Sequence, residues 1–293
     1  MAQLIEWPWI FRIMSIATFA LTLAATPYIR ESYTPALLRR KTASGVRSDM
    51  SWKSFNAFWP RLGMGMLRPA RLLLTRPVIQ VIALVLALSF AIYTLLLGTY
   101  ATLFVERYGE TQVSSSLHYI AIALSMILSA QVGGRLMDIS YRHFLDRNQG
   151  QGKPEFRAPF LAVGILALPI GVNLYGWAAE TTLPWPVVDL GTSLLSLGMV
   201  LSGQVLMAYQ MDEFIEHAAS ASAAARFPSY ILGFAFPIFA PTLYATIGYG
   251  WGSSMLGFIW AVLCFPLPFI IWFWGERLRA WGRSEKESRL EGA

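Results

Sequence analysis

RESYTPALLRRKTASGVRSDMSWKSFNAFWPRLGMGMLRPARLLLTR, from Arg30 to Arg76, carries ten Lys/Arg against two acids, Glu31 and Asp49. On either side the chain is one apolar run after another. A cationic loop shorter than about 60 residues is held on the cytoplasmic side of a membrane and fixes the orientation of its neighbours. One hydrophobic span precedes this loop and six follow it. Composition agrees: 55% of the 293 residues are hydrophobic and 14% charged, with mean hydropathy +0.49, whereas a soluble domain carries about 25% charge. The sequence reads as an all-α integral membrane protein of about seven transmembrane helices.

Seven segments reach the roughly 20 apolar residues that a spanning helix needs. They run from Trp7 to Tyr28, Pro77 to Val105, Val113 to Met137, Pro159 to Ala178, Val187 to Tyr209, Ala223 to Ile247 and Trp251 to Trp274. The expected organisation is a single span over 1–28, a basic cytoplasmic loop over 29–76, a six-helix bundle over 77–275 and a cytoplasmic tail over 276–293. With the basic loop inside, 21 of the 23 Lys/Arg fall on the cytoplasmic side, Arg12 and Arg107 being the exceptions. Trp177, Trp185 and Trp251 then sit near the outer face as an aromatic belt. Within the loop, Trp52, Phe55, Phe58 and Trp59 alternate with Lys53 and Arg61, a pattern that predicts a short amphipathic helix in the inner leaflet's interface.

Several function classes drop out. The net charge of +6 comes from cations in loops beside apolar spans, so membrane topology accounts for it and no nucleic-acid partner is expected. Cys264 is the sole cysteine, and His118, His143 and His217 lie far apart, so no metal centre or cofactor is expected. The N-terminus has acidic Glu6 and no basic residue before Arg12, so the first apolar stretch does not read as a cleaved leader. Ionisable residues are nearly absent from the spans, and Asp189 and Arg226 fall at span ends, where a side chain reaches water. The remaining polar and aromatic positions, Tyr93, Tyr100, Gln131, Asn173, Gln204, Tyr230 and Phe236, are candidates for a weakly polar cavity wall suited to a hydrophobic solute. Each also suits a plain hydrogen bond or contact between helices.

RESYTPALLRRK (30–41) resembles the E-[ST]-Y-x-P-x-L-L-x-[RK]-K signature that opens the central loop of fungal twelve-span major facilitator transporters of the drug:proton antiporter type. Further segments resemble the same family in the same order. They are RPARLLLTRP (68–77), GGRLMDISYRHFLDRNQG (133–150), KPEFRAP (153–159), NLYGWAAE (173–180), YQMDEFIEHAASASAAARF (209–227) and GFAFPIFAPTLYATIGYGW (233–251). Arg30 stands where the family usually has Pro, and His217 where an aromatic is common. The resemblance implies a truncated major facilitator fold: the sixth span, the central loop and the C-terminal six-helix half, with no counterpart to the first five spans.

It also implies roles. Gly133 and Gly134 would let two helices approach, while Arg135, Asp138 and Arg142 would form a gating charge network at the cytoplasmic mouth. Glu155 and Arg157 would join that network, and Asp212 would face Arg226 across a short loop. Pro237 and Pro241 would kink the sixth span, and Pro266 and Pro268 the last. The implied function is proton-coupled export of a small hydrophobic molecule, such as a secondary metabolite or drug, across the plasma membrane. The proton carrier would reside in the missing half, and this half would need that half or a second copy as partner. Two other readings stand beside it: a non-transporting remnant or regulatory partner of a full carrier, and a small polytopic membrane enzyme. The only acid cluster, Asp212, Glu213 and Glu216, sits in a loop, which speaks against an enzyme.

Overall fold

The computed structural model describes residues 7–29, 38 and 67–281. The signature at 30–41, the interfacial helix expected around 52–61 and the tail beyond 281 lie outside them. The chain divides into two units, Met1–Leu62 and Gly63–Ala293. In the first, helix α1 covers Trp7–Ala25, 19 residues, about 28 Å at 1.5 Å per residue. Thr18, Thr22 and Thr26 donate their hydroxyls to the carbonyls four residues back at 2.7–2.8 Å. Three polar groups are thereby satisfied inside the helix, as an apolar solvent requires.

The second unit is helical throughout, with no strand among the described residues. Residues 67–75 form a short helix that leads through Arg76 into α2 (Pro77–Tyr108). There follow the short α3 (Gln112–Leu117), α4 (Tyr119–Arg147), α5 (Ala158–Glu180), α6 (Trp185–Glu213), α7 (Ala218–Cys264) and α8 (Leu267–Ala280). Pro at the start of α2, α5, α6 and α8 suits a position whose N–H has no helical partner. Gly109, at φ 68°, closes α2 by donating its N–H to Phe104 O.

Burial sorts the helices. α2 is enclosed along most of its length, with Ile79, Ile82, Val85, Leu95 and Leu103 fully buried. α4 buries only Ile122, Ser129 and Gly133. α5 packs along α6, α2 along α7, and α4 against α6. The α5–α6 contact is made by backbone: a Cβ on Gly198 would lie 2.5 Å from Leu168 N, and one on Gly164 2.7 Å from Ser202 N.

The 63-residue, largely apolar stretch from Ala218 to Ala280 is divided by a break at Gly248 (φ 78°, ψ 168°), the single residue of α7 outside helical geometry. The helix continues through Pro237 and Pro241, so the interruption falls eleven and seven residues beyond the positions where the prolines predict a bend. The C-terminal limb ends at Cys264, and α8 resumes after Pro266. Glu180, at the end of α5, accepts a hydrogen bond from the Tyr249 N–H at 2.7 Å, so a carboxylate caps the limb that starts after the break. A Cβ at Gly248 would meet Glu180 Oε2 at 2.8 Å, in a backbone region open in practice only to Gly. Gly248→Ala is expected to cost about 1–3 kcal/mol, seen as a lower thermal unfolding midpoint in detergent with helix content preserved.

Candidate functional site

A cavity of about 370 Å³ lies where α2, α6 and α7 meet. Leu86, Phe90, Met199 and Met207 supply an apolar wall, Gly203 leaves room, and Ser89, Gln204, Arg226, Ser229 and Tyr230 add polar groups. Phe90 and Tyr230 meet edge to face with centroids 6.1 Å apart. Gln204 donates its Nε2 to Ala130 O at 3.1 Å, which fixes the amide and leaves Oε1 without a partner. Ser229 Oγ is likewise unpartnered. An aromatic, Met-lined hollow edged by a few polar side chains is suited to a mostly apolar solute, while the Gln204 amide itself turns toward Ala130 and Gly133 of α4.

Gln204 and Tyr230 are thus where the sequence expected them to be useful, on one cavity. The other candidates are dispersed. Tyr93 and Phe236 are half-buried against the core, and Gln131 is exposed on α4. Asn173 accepts from Ser254 Oγ at 2.9 Å and donates to Pro169 O at 2.8 Å, tying α5 to the last limb of α7. A second hollow, about 610 Å³, opens between α4, α5 and α6 and holds none of the candidates. It is lined by Leu124, Leu128, Val132, Leu136, Phe160 and Val163. Two of its serines are spent on carbonyls: Ser125 Oγ donates to Ser193 O at 2.6 Å and Ser193 Oγ to Ala121 O at 3.4 Å. A hydrocarbon chain matches such a surface.

The expected gating network divides differently. Arg135, Asp138 and Arg142 are exposed on α4, and no ion pair joins them to any described residue. Each lies on a face of α4 that no described element covers, since α4 packs on α6 through Gly133 and its neighbours. Of the two glycines, Gly133 receives Leu201 of α6, whereas Gly134 faces open space. Arg157 pairs with Asp212 at 3.0 Å and stacks over Tyr141 at 4.7 Å. Arg226 is exposed at the cavity and is not the partner of Asp212.

The charge cluster that does form shares only Glu155 with the network the sequence suggests. Arg279, in the last turn of α8, reaches Glu155 Oε1 at 2.6 Å and Glu213 Oε2 at 3.4 Å; Arg76 approaches Glu213 Oε1 at 3.7 Å. Two guanidinium and two carboxylate groups thus alternate across the starts or ends of four elements. Glu155 is 7% and Arg76 6% exposed. The region placed in the tail therefore begins inside the bundle, because α8 runs on to Ala280.

At the opposite end, Asp189 is 9% exposed rather than reaching water. Tyr100 donates its hydroxyl to Asp189 Oδ1 at 2.6 Å, and His118 Nδ1 lies 2.8 Å from Oδ2. His118 Nε2 lies 3.2 Å from Glu110 Oε2. Tyr100 consequently belongs to this polar cluster and not to the cavity wall.

A family model described as Major Facilitator Superfamily matches residues 1–237. The probable efflux pump mfs2 of Aspergillus flavus is 40% identical over 284 residues, 93% of this chain and 66% of that protein. The MFS-type transporter oryF of Aspergillus oryzae is 33% identical over 94% of this chain and 58% of its own length. The efflux pump vrtL of Penicillium aethiopicum is 32% identical over 95% and 56% respectively. No solved structure matches the chain. The chain thus spans between about half and two thirds of the curated relatives it resembles. Its apolar helices, its ordered motifs and these relatives agree: the chain belongs to the Major Facilitator Superfamily of membrane transporters.

Proposed function

We propose that this chain forms part of an efflux carrier that exports a small hydrophobic or amphipathic molecule in exchange for protons. The observation that supports the reading is the α2–α6–α7 cavity, with Phe90, Tyr230, Met199 and Met207 in an aromatic and Met-lined wall. In this fold the solute site lies at mid-membrane between two helical halves that rock against each other. The cavity would supply one wall of that site; the other would come from the rest of a longer carrier or from a second copy. The basic end, with its Arg-rich segments, faces the cytoplasm, and the end carrying Asp189 and Trp185 faces outward. The plasma membrane is the expected location. The exposed apolar faces of α4 and α7 then contact lipid and the partner wall.

The test is uptake of fluorescent hydrophobic solutes into proteoliposomes under an imposed pH gradient. Wild-type protein is expected to move at least one solute faster with the gradient than without. Phe90→Ala removes one ring of the edge-to-face pair, worth about 1 kcal/mol, and is expected to weaken apparent affinity about fivefold for aromatic solutes. Tyr230→Ala, which removes an aromatic wall, should weaken it for all of them. With both walls of the carrier present, folded protein that moves nothing, or whose transport ignores both substitutions, would overturn the proposal.

A further inference from the structure

The cluster at the Asp189 end is built from parts that do not belong together unless a proton is present. His118 sits in the turn between α3 and α4 with one ring nitrogen 2.8 Å from Asp189 Oδ2 and the other 3.2 Å from Glu110 Oε2. A neutral imidazole has a single N–H, so it can donate to one carboxylate while turning a lone pair on the other. With a second ring proton both contacts become hydrogen bonds, and without it one of them sets a lone pair against a carboxylate.

The surroundings fit an imidazolium. Phe104 stacks flat on the ring, 3.8 Å between centroids and 1° between planes, offering its π face to a cation. Trp185 meets the same ring edge-on at 5.3 Å. Tyr100 holds the second oxygen of Asp189, and Thr192 Oγ1 lies 3.3 Å from the Tyr100 hydroxyl. The other titratable groups nearby are phenols. Tyr119 on α4 and Tyr175 on α5 pack on Tyr100, and Tyr108 on α2 packs on Phe104 while its hydroxyl bonds to Leu183 O. Arg107 lies over Tyr249 instead, and no described Lys or Arg is ion-paired with Asp189 or Glu110. His118 is the one group that can offset their charge. Side-chain exposure falls from 20% at Glu110 to 12% at Asp189 and 10% at His118, so Glu110 is the exit to water.

We infer that Glu110, His118 and Asp189 form a proton-binding site at the outward end of the bundle, loaded and emptied through Glu110. Uptake moves one proton from hydronium to the imidazole nitrogen that faces Glu110, taking the three groups from net charge −2 to −1. Release returns it to water by way of the Glu110 carboxylate. The loaded form joins the α3–α4 corner to α2 and α6; the empty form sets a lone pair against a carboxylate and loosens that corner. The existence of the site stands on the geometry alone, while its use in transport rests on the proton-coupled reading above.

The test is selective ¹⁵N labelling of histidine and tryptophan in the protein in lipid nanodiscs, titrated with protons alone and followed by NMR. One of three imidazole signals is expected to titrate together with the Trp185 indole resonance, and to vanish in His118→Gln. Asp189→Asn removes a partner charge within hydrogen-bond distance and is expected to lower that midpoint; Glu110→Gln should lower it less. Both replacements are isosteric, and an unchanged indole spectrum away from Trp185 reports that each variant is folded. A midpoint unmoved in both carboxylate variants would overturn the site. In proteoliposomes, the pH profile of gradient-driven transport should move with the Asp189→Asn midpoint. A site that titrates while the profile stays put would sink its role in coupling, and absence of any gradient-driven transport would count against the carrier reading and leave the titration result intact.

Discussion

Arg279→Leu is expected to destabilise the bundle by about 3–5 kcal/mol, the cost of removing one partner from a buried ion pair. Among the described residues Arg279 is the one cation paired with Glu155, which is nearly buried and whose second oxygen already lacks a hydrogen bond. Without the guanidinium, Glu155 is left as a charge with no partner. Gly275 makes the arrangement tight, since a Cβ there would fall 2.7 Å from Glu155 Cγ, so the carboxylate has no room to swing away. The readout is thermal unfolding in detergent, where the midpoint should drop on the order of 10 °C for a chain of this size. Arg279→Lys keeps the charge and loses the fork that reaches two carboxylates, so it should fall between the two. If Arg279→Leu melts with the wild type, the cluster is not holding α8 to Glu155 and Glu213.

The second large effect lies between α5 and α6. A Cβ on Gly171 would lie 2.7 Å from Gly191 O and 2.8 Å from Leu195 Cα, and one on Gly191 would lie 2.5 Å from Tyr175 N. These neighbours are backbone, which cannot rotate aside as a side chain can. Gly171→Val must push the helices apart along a contact that Gly164, Gly191 and Gly198 keep close, and overpacking of this kind costs about 1–3 kcal/mol or more. The expected result is loss of the monodisperse peak in size-exclusion chromatography. Gly134→Ala is the matched control, because nothing lies within 4 Å of the added Cβ. It should be neutral, or more stable by up to about 1 kcal/mol through helix propensity. Equal behaviour of the two variants would refute the close-packing account.

Much of the helical layout is legible without coordinates, since apolar runs of spanning length announce themselves and Arg-rich connections separate them. The sites are less legible, for a physical reason. Gln204 and Tyr230 could be flagged because a polar side chain inside an apolar span stands out alone. Asp189 and His118 are 71 positions apart, and each looks ordinary at the end of its own run. Their meaning comes from helix rotation and from a corner at His118 that folds back onto α2, neither of which is written in local spacing. Arg279 was hidden differently: it sits among Arg277, Arg283 and Lys286, a composition that reads as a solvated tail. Conversely, Asp138 flanked by Arg135 and Arg142 looked like a network by adjacency along one helix. Those residues share a helix whose packed face lies elsewhere, so proximity in sequence gave charges on a face that no described element covers.

The enclosure of α2 carries a consequence for how the chain varies. A helix with a lipid-facing stripe can trade Leu for Ile or Phe along that stripe at little cost, and α4, exposed on most of its turns, has that freedom. α2 has only a narrow, interrupted one, at Gln80 and Leu84 and again at Gly98 and Thr102, while Ile79, Ile82, Ala91, Leu95, Leu103 and Phe104 are closed off. Changes in volume there must be answered by α6 or α7 in the same molecule. Saturation mutagenesis should accordingly return a nearly blank tolerance profile over α2 beside a permissive one over α4, and accepted changes in α2 should arrive in pairs with changes in the helices that enclose it.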